Sequence, residues 1–192
     1  MRVSKCIVLG AAALLLPLAS GANEFDTELR TAYQTHIVPL LSQGIVIDAI
    51  LAQNADHAGL TDADVEALDQ QWRQEAEAGS GPLIDAVLGN ALSEFLAQVK
   101  ADSDGMITEI FVMDNRGLNV AQSDVTSDYM QGDEAKWLET FPVGGDAVFV
   151  DELEFDESTN AFQSQVSGSI VDPATGETIG AITVGVNVES LL

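Results

Sequence analysis

A short segment in the second half of the chain concentrates side chains that suit the binding of a small molecule. Tyr129 and Trp137 offer rigid apolar surfaces with a hydrogen-bonding edge. Lys136 suits a ligand carboxylate, whereas Asp128 and Asp133 suit a ligand amine. The same side chains also fit a structural role, in which both rings belong to the core. In that role Lys136 forms a surface ion pair, for which Asp133 stands three residues away.

No pattern for catalysis accompanies these residues. His36 and His57 are the only histidines, and neither lies in the His-Glu-x-x-His pattern of a zinc site. No serine stands in a Gly-x-Ser-x-Gly elbow. Acidic pairs are too frequent in this chain for one of them to stand out as general acid and base. We therefore predict no catalytic residues, no metal site and no cofactor, and we expect a protein that is not an enzyme.

Residues 102–107 resemble the middle of a calcium-binding loop. A complete EF-hand loop would have Asp where Lys100 stands and Glu where Phe111 stands. Both differences remove an essential ligand, so we predict a helix-to-strand turn at this place.

The first 22 residues have the layout of a secretory signal. Arg2 and Lys5 precede an apolar run from Ile7 to Leu18, and Ser20-Gly21-Ala22 supplies small residues for a signal peptidase. Cleavage after this tripeptide removes two cations and takes the formal net charge from −24 to −26. It also removes the only cysteine. We expect a signal peptide at 1–22 and a periplasmic or secreted mature protein.

The strong negative charge bears on the partners of the mature chain. Nucleic acids and anionic membrane surfaces would repel it, so neither is expected as a partner. No stretch after residue 22 is apolar enough to span a bilayer, and we expect no stable membrane insertion after cleavage. The charge has two interpretations, a solvated acidic surface and an acidic docking surface for another protein.

Residues 23–192 have the length of one domain, with a helical part at 23–101 and a sheet part at 102–192. In the helical part, apolar residues recur at helical spacing, and Pro39 should kink or divide the first helix. Thr61 is a candidate N-cap of the second helix. Three helices are predicted: Glu24 to about Asn54, Thr61 to about Ala78, and Leu83 to Val99.

The sheet part alternates between apolar and polar residues. Five strands are predicted: Met106 to Asp114, Leu118 to Ser123, Ala147 to Phe155, Phe162 to Val171, and Ile179 to Val188. A polar helical stretch from Ser127 to Phe141 separates the second strand from the third. Because helices and strands are segregated along the chain, we predict an α+β fold. In this fold the long N-terminal helix backs a five-stranded antiparallel sheet.

The last two strands predict an apolar and a polar face of that sheet. Val166 and Val184 have the parity that should be buried against the N-terminal helix, whereas Gln165 and Gly185 have the opposite parity. The polar face is either the floor of a ligand pocket or a solvated face. On the first interpretation, Gln165 and Thr183 join the five residues of the segment 128–137 as candidate ligand-binding residues.

The order of these elements, together with three local sequences, resembles the single Cache family of extracellular sensors, whose fold is PAS-like. The three sequences are a hydrophobic strand with an Asp-x-x-Gly turn at 109–117, a pocket-bordering segment at 128–137, and a last hairpin at 170–182. The resemblance implies non-catalytic binding of a small organic molecule in a pocket over the sheet. It does not extend to the Arg-x-Trp-Tyr run of the amino-acid-binding members, because Ala135 and Leu138 replace its Arg and Tyr.

Together, the sequence and the resemblance predict an exported sensor domain for a small organic ligand such as a carboxylate or an amine. Because no kinase, cyclase or methyl-accepting region is recognised, the signal would pass to a separate protein, such as a membrane receptor or another signalling protein. The alternative is a ligand-free interaction module that docks on a membrane receptor through its acidic surface.

Overall fold

The computed structural model describes residues 23–156 and 161–192. The predicted signal peptide at 1–22 and residues 157–160 of a predicted hairpin loop lie outside the described residues. Helices occupy most of residues 26–101, and the strands lie between residues 107 and 187. This segregation confirms the predicted α+β class.

The N-terminal helix is divided, and the break lies after Leu41, two residues beyond Pro39, the residue expected to cause it. It consists of α1 (Asp26–Ala32), a π-helical turn (Tyr33–Ile37), α2 (Val38–Leu41) and, after a break, α3 (Gly44–Asp56). The two halves meet at an angle of 71°. Pro39 lacks an N–H group and crowds the preceding turn, which is π-helical here. The bend itself lies after Leu41, where Gln43 adopts an extended backbone with a ψ of 138°.

The next helices show where side-chain caps decide the boundaries. α4 (Asp62–Ala78) begins at the predicted N-cap, where the Thr61 amide donates to Asp64 Oδ2 at 2.8 Å and the Thr61 hydroxyl accepts from the Asp64 amide. The prediction of one helix from Leu83 to Val99 is wrong. Two helices replace it, α5 (Pro82–Leu88) and α6 (Ala91–Ala101), because the Asn90 side chain accepts from the Ser93 amide at 2.8 Å and starts a new helix.

An antiparallel sheet of six strands packs on these helices. The strands are β1 (Ile107–Met113), β2 (Asn119–Gln122), β3 (Val148–Val150), β4 (Glu154–Asp156), β5 (Ala161–Val171) and β6 (Thr178–Asn187). Their order is β2-β1-β6-β5-β3, and β4 also pairs with β5. The predicted third strand is therefore interrupted: β3 and β4 pair with different stretches of the long strand β5.

Residues 123–147, here called the cover segment, join β2 to β3. The predicted helix Ser127–Phe141 is wrong over most of its length, and only α7 (Ala135–Leu138) is helical. The backbone before α7 bonds to the β1–β2 hairpin instead. The Asn119 amide donates to the Tyr129 carbonyl at 3.0 Å, and the Gln131 amide donates to the Gly117 carbonyl at 2.7 Å. These long-range bonds replace the local ones that a helix would need.

The two faces of the sheet agree with the predicted parity. Val166 pairs with Val184, and both are buried in the cluster that contains Leu29 of α1. Gln165 pairs with Gly185 and points to the opposite face. Within residues 23–156 and 161–192, no single helix is long and apolar enough to cross a membrane, although the bent pair Asp26–Leu41 and Gly44–Gly59 passes that test jointly.

Candidate functional site

Aromatic side chains hold the cover segment against the sheet. Trp137 and Phe141 stack with their ring centroids 4.9 Å apart and pack on three buried residues of β1 and β6: Phe111, Met113 and Ala181. The indole N–H of Trp137 donates to the Asp114 carbonyl at 3.3 Å. The centre of the polar sheet face is therefore filled by the protein itself.

Beside these rings, three buried hydroxyl residues of β5 and β6 have hydrogen-bond partners within the protein. Ser167 and Thr183 are fully buried, and their hydroxyl oxygens lie 2.9 Å apart in a hydrogen bond. The hydroxyl of Ser169 donates to the Thr140 carbonyl of the cover segment at 2.8 Å. The predicted ligand residue Thr183 is thus bonded within the sheet.

A polar cavity of about 190 Å³ remains between the cover segment and β5, and we call it the sheet-face cavity. The cover segment contributes Glu134 and Lys136 to its wall. The β5 residues of its wall are Gln163, Ser164 and Gln165, and the stretch before β5 adds Asp151, Glu152 and Glu154. The side-chain amide of Gln165 donates to Glu109 Oε1 at 2.8 Å.

Lys136 is the only basic residue that lines the sheet-face cavity, and its side chain is only 12% exposed. Its Nζ lies 2.9 Å from Glu134 Oε2 and 3.3 Å from Gln131 Oε1. It also lies 5.6 Å from the ring centroid of Phe111. The expected pair with Asp133 is wrong, because α7 begins at Ala135 and residues 133 and 136 do not share a helical face.

The rest of the cavity wall presents hydrogen-bond acceptors. Gln163 Oε1 is buried, and no described residue donates to it. Asp151 and Glu154 add carboxylates, and neither forms an ion pair with a described cation. Since Glu134 already neutralises Lys136, the cavity keeps an excess of negative charge and a free amide oxygen. Such a wall suits a ligand that donates hydrogen bonds.

Tyr129 and Asp128 connect the cover segment to α4. Tyr129 is 3% exposed and stacks on Trp72 with the ring centroids 5.4 Å apart. Burial, together with the charge of Asp114, raises the pKa of Tyr129, so the phenol is neutral. Asp128 Oδ1 lies 3.1 Å from Nη1 of Arg73. Both predicted residues have structural partners here.

A second cavity of about 370 Å³ lies on the other side of the cover segment, and we call it the helix-side cavity. α4 contributes Asp62, Val65, Glu66 and Asp69 to its wall. Arg116, in the turn between β1 and β2, forms another part. The cover segment completes the wall with Met130, Gly132, Asp133 and Trp137.

The seven predicted ligand residues therefore divide into three groups. Lys136 and Gln165 line the sheet-face cavity, and Asp133 and Trp137 line the helix-side cavity. Asp128, Tyr129 and Thr183 form the packing and hydrogen bonds described above. Ligand binding by any of the seven stays a prediction.

Sequence analysis missed several residues that line the two cavities. Gln163 has the same strand parity as Gln165, so its place on the polar face could have been predicted. Glu154 reaches the cavity through the pairing of β4 with β5, for which the sequence carries no signal. Arg116 stands in a predicted turn. Basic residues are rare in this acidic chain, and that rarity was the signal that could have pointed to Arg116.

The histidines do not form a metal site. His57 Nδ1 lies 3.0 Å from Asp114 Oδ2, and Asp114 is fully buried. The same carboxylate accepts from the amides of Arg116 and Leu118 at 2.8 and 2.9 Å, so it holds the β1–β2 turn. Among the described residues, no three His, Cys, Asp or Glu side chains are grouped to hold a metal ion.

Comparison with solved structures bears on the fold of this chain. No protein-family model and no curated protein matches the sequence. Among solved structures, the sensor domain of E. coli DcuS matches with 14% identity and a TM-score of 0.50, over 86% of this chain and 92% of that domain. The V. cholerae histidine kinase DctB sensor domain has 14% identity and a TM-score of 0.44, over 88% of this chain and 56% of that one.

The sensory domain of the Campylobacter jejuni chemoreceptor Tlp3 gives a similar result. It has 11% identity and a TM-score of 0.41, over 86% of this chain and 64% of that one. This chain thus spans less than two thirds of the DctB and Tlp3 domains but nearly all of the DcuS domain. The fold is that of the PDC/Cache-type extracellular sensor domains, which confirms the fold that the resemblance implied.

Proposed function

We propose that this chain is an exported, non-catalytic ligand-binding domain of the sensor type and that its ligand is a small organic amine. The DcuS domain, with the same fold over nearly its whole length, is a sensor domain. In our proposal, the sheet-face cavity holds the amine and the domain passes its signal to a separate protein, such as a membrane receptor.

The observation that carries this proposal is the state of Lys136. Its ammonium group already has Glu134 and Gln131 as partners at 2.9 and 3.3 Å. A ligand carboxylate would have to share the ammonium group with Glu134 and would also face the charges of Asp151 and Glu154. A ligand amine meets no such obstacle, because the same carboxylates attract it and Gln163 Oε1 offers an acceptor. Of the two predicted ligand classes, the geometry therefore favours the amine.

A thermal-shift measurement with a matched pair of compounds tests this proposal. Butylamine should raise the melting temperature, because a ligand that binds only the folded state stabilises it, whereas butyrate should not. The variant Glu154→Gln should reduce the shift, and Lys136→Gln should keep it. Glu139→Gln, at an exposed position one residue beyond α7, is the matched control and should behave as the wild type.

Two results would contradict the proposal. A shift with butyrate that Lys136→Gln removes would assign a carboxylate to the sheet-face cavity instead. If no compound in a wider set of amines, carboxylates and amino acids shifts the melting temperature, the ligand-free acidic interaction module becomes the better account of the chain.

A further inference from the structure

The wall of the helix-side cavity contains a basic side chain, that of Arg116, which has no partner among the described residues. The other four Lys and Arg residues of the described chain each pair with a carboxylate: Arg30, Arg73, Lys100 and Lys136. Arg116 is half-buried, and its guanidinium forms no hydrogen bond or ion pair with any described residue. In a chain with a formal net charge of −24, an unpaired guanidinium at a cavity wall calls for an explanation.

The backbone fixes Arg116 at this wall. Its amide donates to Asp114 Oδ1 at 2.8 Å. Its carbonyl lies so close to Gly132 that a side chain at position 132 would overlap it. The next residue, Gly117, has a φ of +80° and accepts from the Gln131 amide at 2.7 Å. The turn is thus docked on the cover segment, and the backbone of Arg116 is held at the cavity wall without a ligand.

The side chains of Arg116 and Asp133 carry opposite charges and line the same cavity, but they do not form an ion pair. Asp133 also forms no hydrogen bond or ion pair with another described residue, and its charge acts at longer range on Arg73. Asp69 does not compete for Arg116, because it already pairs with Arg73 at 2.8 Å and accepts from the amides of Tyr129 and Met130. A molecule with both charges would satisfy Arg116 and Asp133 together.

The apolar part of the wall is preformed, and Asp62 and Glu66 of α4 add two further carboxylates to the cavity. Val65, Met130 and Trp137 line it, and the contacts of Asp69 hold α4 against the cover segment. A volume of about 370 Å³ lies at the small end of the range of known ligand pockets. The cavity therefore has room for a small molecule with an apolar body, and little reorganisation is needed on binding.

We propose that the helix-side cavity is a second ligand site, which binds a small zwitterion with an apolar body. The ligand carboxylate pairs with Arg116, its ammonium group faces Asp133, and its apolar body lies on Val65, Met130 and Trp137. This site goes beyond the proposed function, because the sheet-face cavity shares none of these residues. The proposed site also does not include Ala135 or Leu138, the two residues that replace the Arg and Tyr of the amino-acid-binding motif of the Cache family.

Calorimetry on the purified chain with three matched compounds tests the inference. Leucine carries both charges, isocaproate lacks the ammonium group, and isoamylamine lacks the carboxylate. We expect leucine to bind at least about tenfold more tightly than either analogue, since one hydrogen-bonded charge contact commonly contributes about that factor. The inference is overturned if either analogue binds as tightly as leucine, or if leucine does not bind.

Substitutions in the two cavities distinguish which of them binds leucine. Arg116→Gln and, independently, Asp133→Asn should each weaken leucine binding about tenfold or more, while Arg30→Gln on α1 is the matched control and should bind as the wild type. Circular dichroism checks that each variant is folded. If Arg116→Gln does not fold, the binding of leucine to Asp133→Asn alone tests the inference. Unchanged binding in the folded variants overturns the inference. Loss of leucine binding in Glu154→Gln but not in Asp133→Asn overturns it as well and assigns leucine to the sheet-face cavity.

Discussion

The phenol ring of Tyr33 lies against the bare backbone of Gly168, where the π-helical turn of the N-terminal helix packs on β5. Tyr33 is only 2% exposed, and burial raises its pKa, so the phenol stays neutral. A Cβ atom at position 168 would overlap the phenol oxygen. The distance between helix and sheet at this place therefore depends on the absence of a side chain.

Substitution of this glycine tests the contact. Gly168→Ala should lower the free energy of unfolding by about 1–3 kcal/mol, the usual cost of overpacking a core. Urea unfolding measures it. Gly59→Ala is the control, because nothing lies within 4 Å of its added Cβ, and it should change stability by less than about 0.5 kcal/mol. Equal stability of the two variants would show that helix and sheet can separate without cost.

Trp137 contributes to the fold in addition to any ligand contact. Its packing with Phe111, Met113 and Phe141 predicts that Trp137→Ala lowers the free energy of unfolding by about 3 kcal/mol. The neighbouring Leu138 is 47% exposed, and Leu138→Ala should cost less than about 1 kcal/mol. Chemical denaturation of both variants checks this. Similar losses would mean that the aromatic stack does not hold the cover segment.

A buried carboxylate on α4 predicts a dependence of stability on pH. Glu75 is 8% exposed and accepts hydrogen bonds from Gln71 and from the amides of Leu83 and Ile84 at the start of α5. Burial by itself would raise the pKa of Glu75. The hydrogen bonds from Gln71 and the two amides outweigh it and lower the pKa below its ordinary value of 4.5.

The direction of the effect follows from the lowered pKa. The ionised form is favoured by folding, so Glu75 contributes stability above pH 4.5 that is lost as the pH falls through the pKa of the folded state. The difference in urea midpoint between the wild type and Glu75→Gln should be large at pH 7 and shrink below pH 4.5. Glu77→Gln, exposed on the same helix, controls for the general protonation of carboxylates. A difference that does not vary with pH would refute this assignment.

The start of the mature chain is a further prediction. Cleavage after Ala22 leaves Asn23 as the first residue, and its side-chain amide donates to the Asp151 carbonyl at 2.7 Å and to the Ser164 hydroxyl at 2.9 Å. We expect intact-mass analysis of the exported protein to give a chain that begins at Asn23 or within two residues of it. Recovery of all 192 residues from the periplasm or medium would refute the signal peptide.

Local patterns in the sequence predicted the sheet well and the cover segment poorly. Strand alternation placed Val166, Val184 and Gln165 on the correct faces because the side-chain period of two depends only on neighbours in sequence. The fold of residues 128–131 depends instead on backbone bonds to the β1–β2 hairpin, and no local propensity records those. The division between α5 and α6 was predictable from the preference of Asn90 for N-caps.

The cavities were predictable only in part. Lys136 and Trp137 are adjacent in sequence, and the sequence interpretation assigned them to one pocket. α7 has only four residues, and successive side chains on a helix point about 100° apart. Lys136 therefore lines one cavity and Trp137 the other. The direction in which α7 lies across the sheet, which decides this, is set by tertiary packing.

The single turn α7 is a wall that both cavities share, and this has a thermodynamic consequence. A shift of this turn changes the volume and the charge arrangement on both of its sides at once. If a molecule on one side favours one position of α7, it must alter the affinity on the other side, and reciprocity requires the second molecule to alter the first affinity by the same factor. An amine in the sheet-face cavity and a zwitterion in the helix-side cavity would then each change the affinity for the other through one turn of helix.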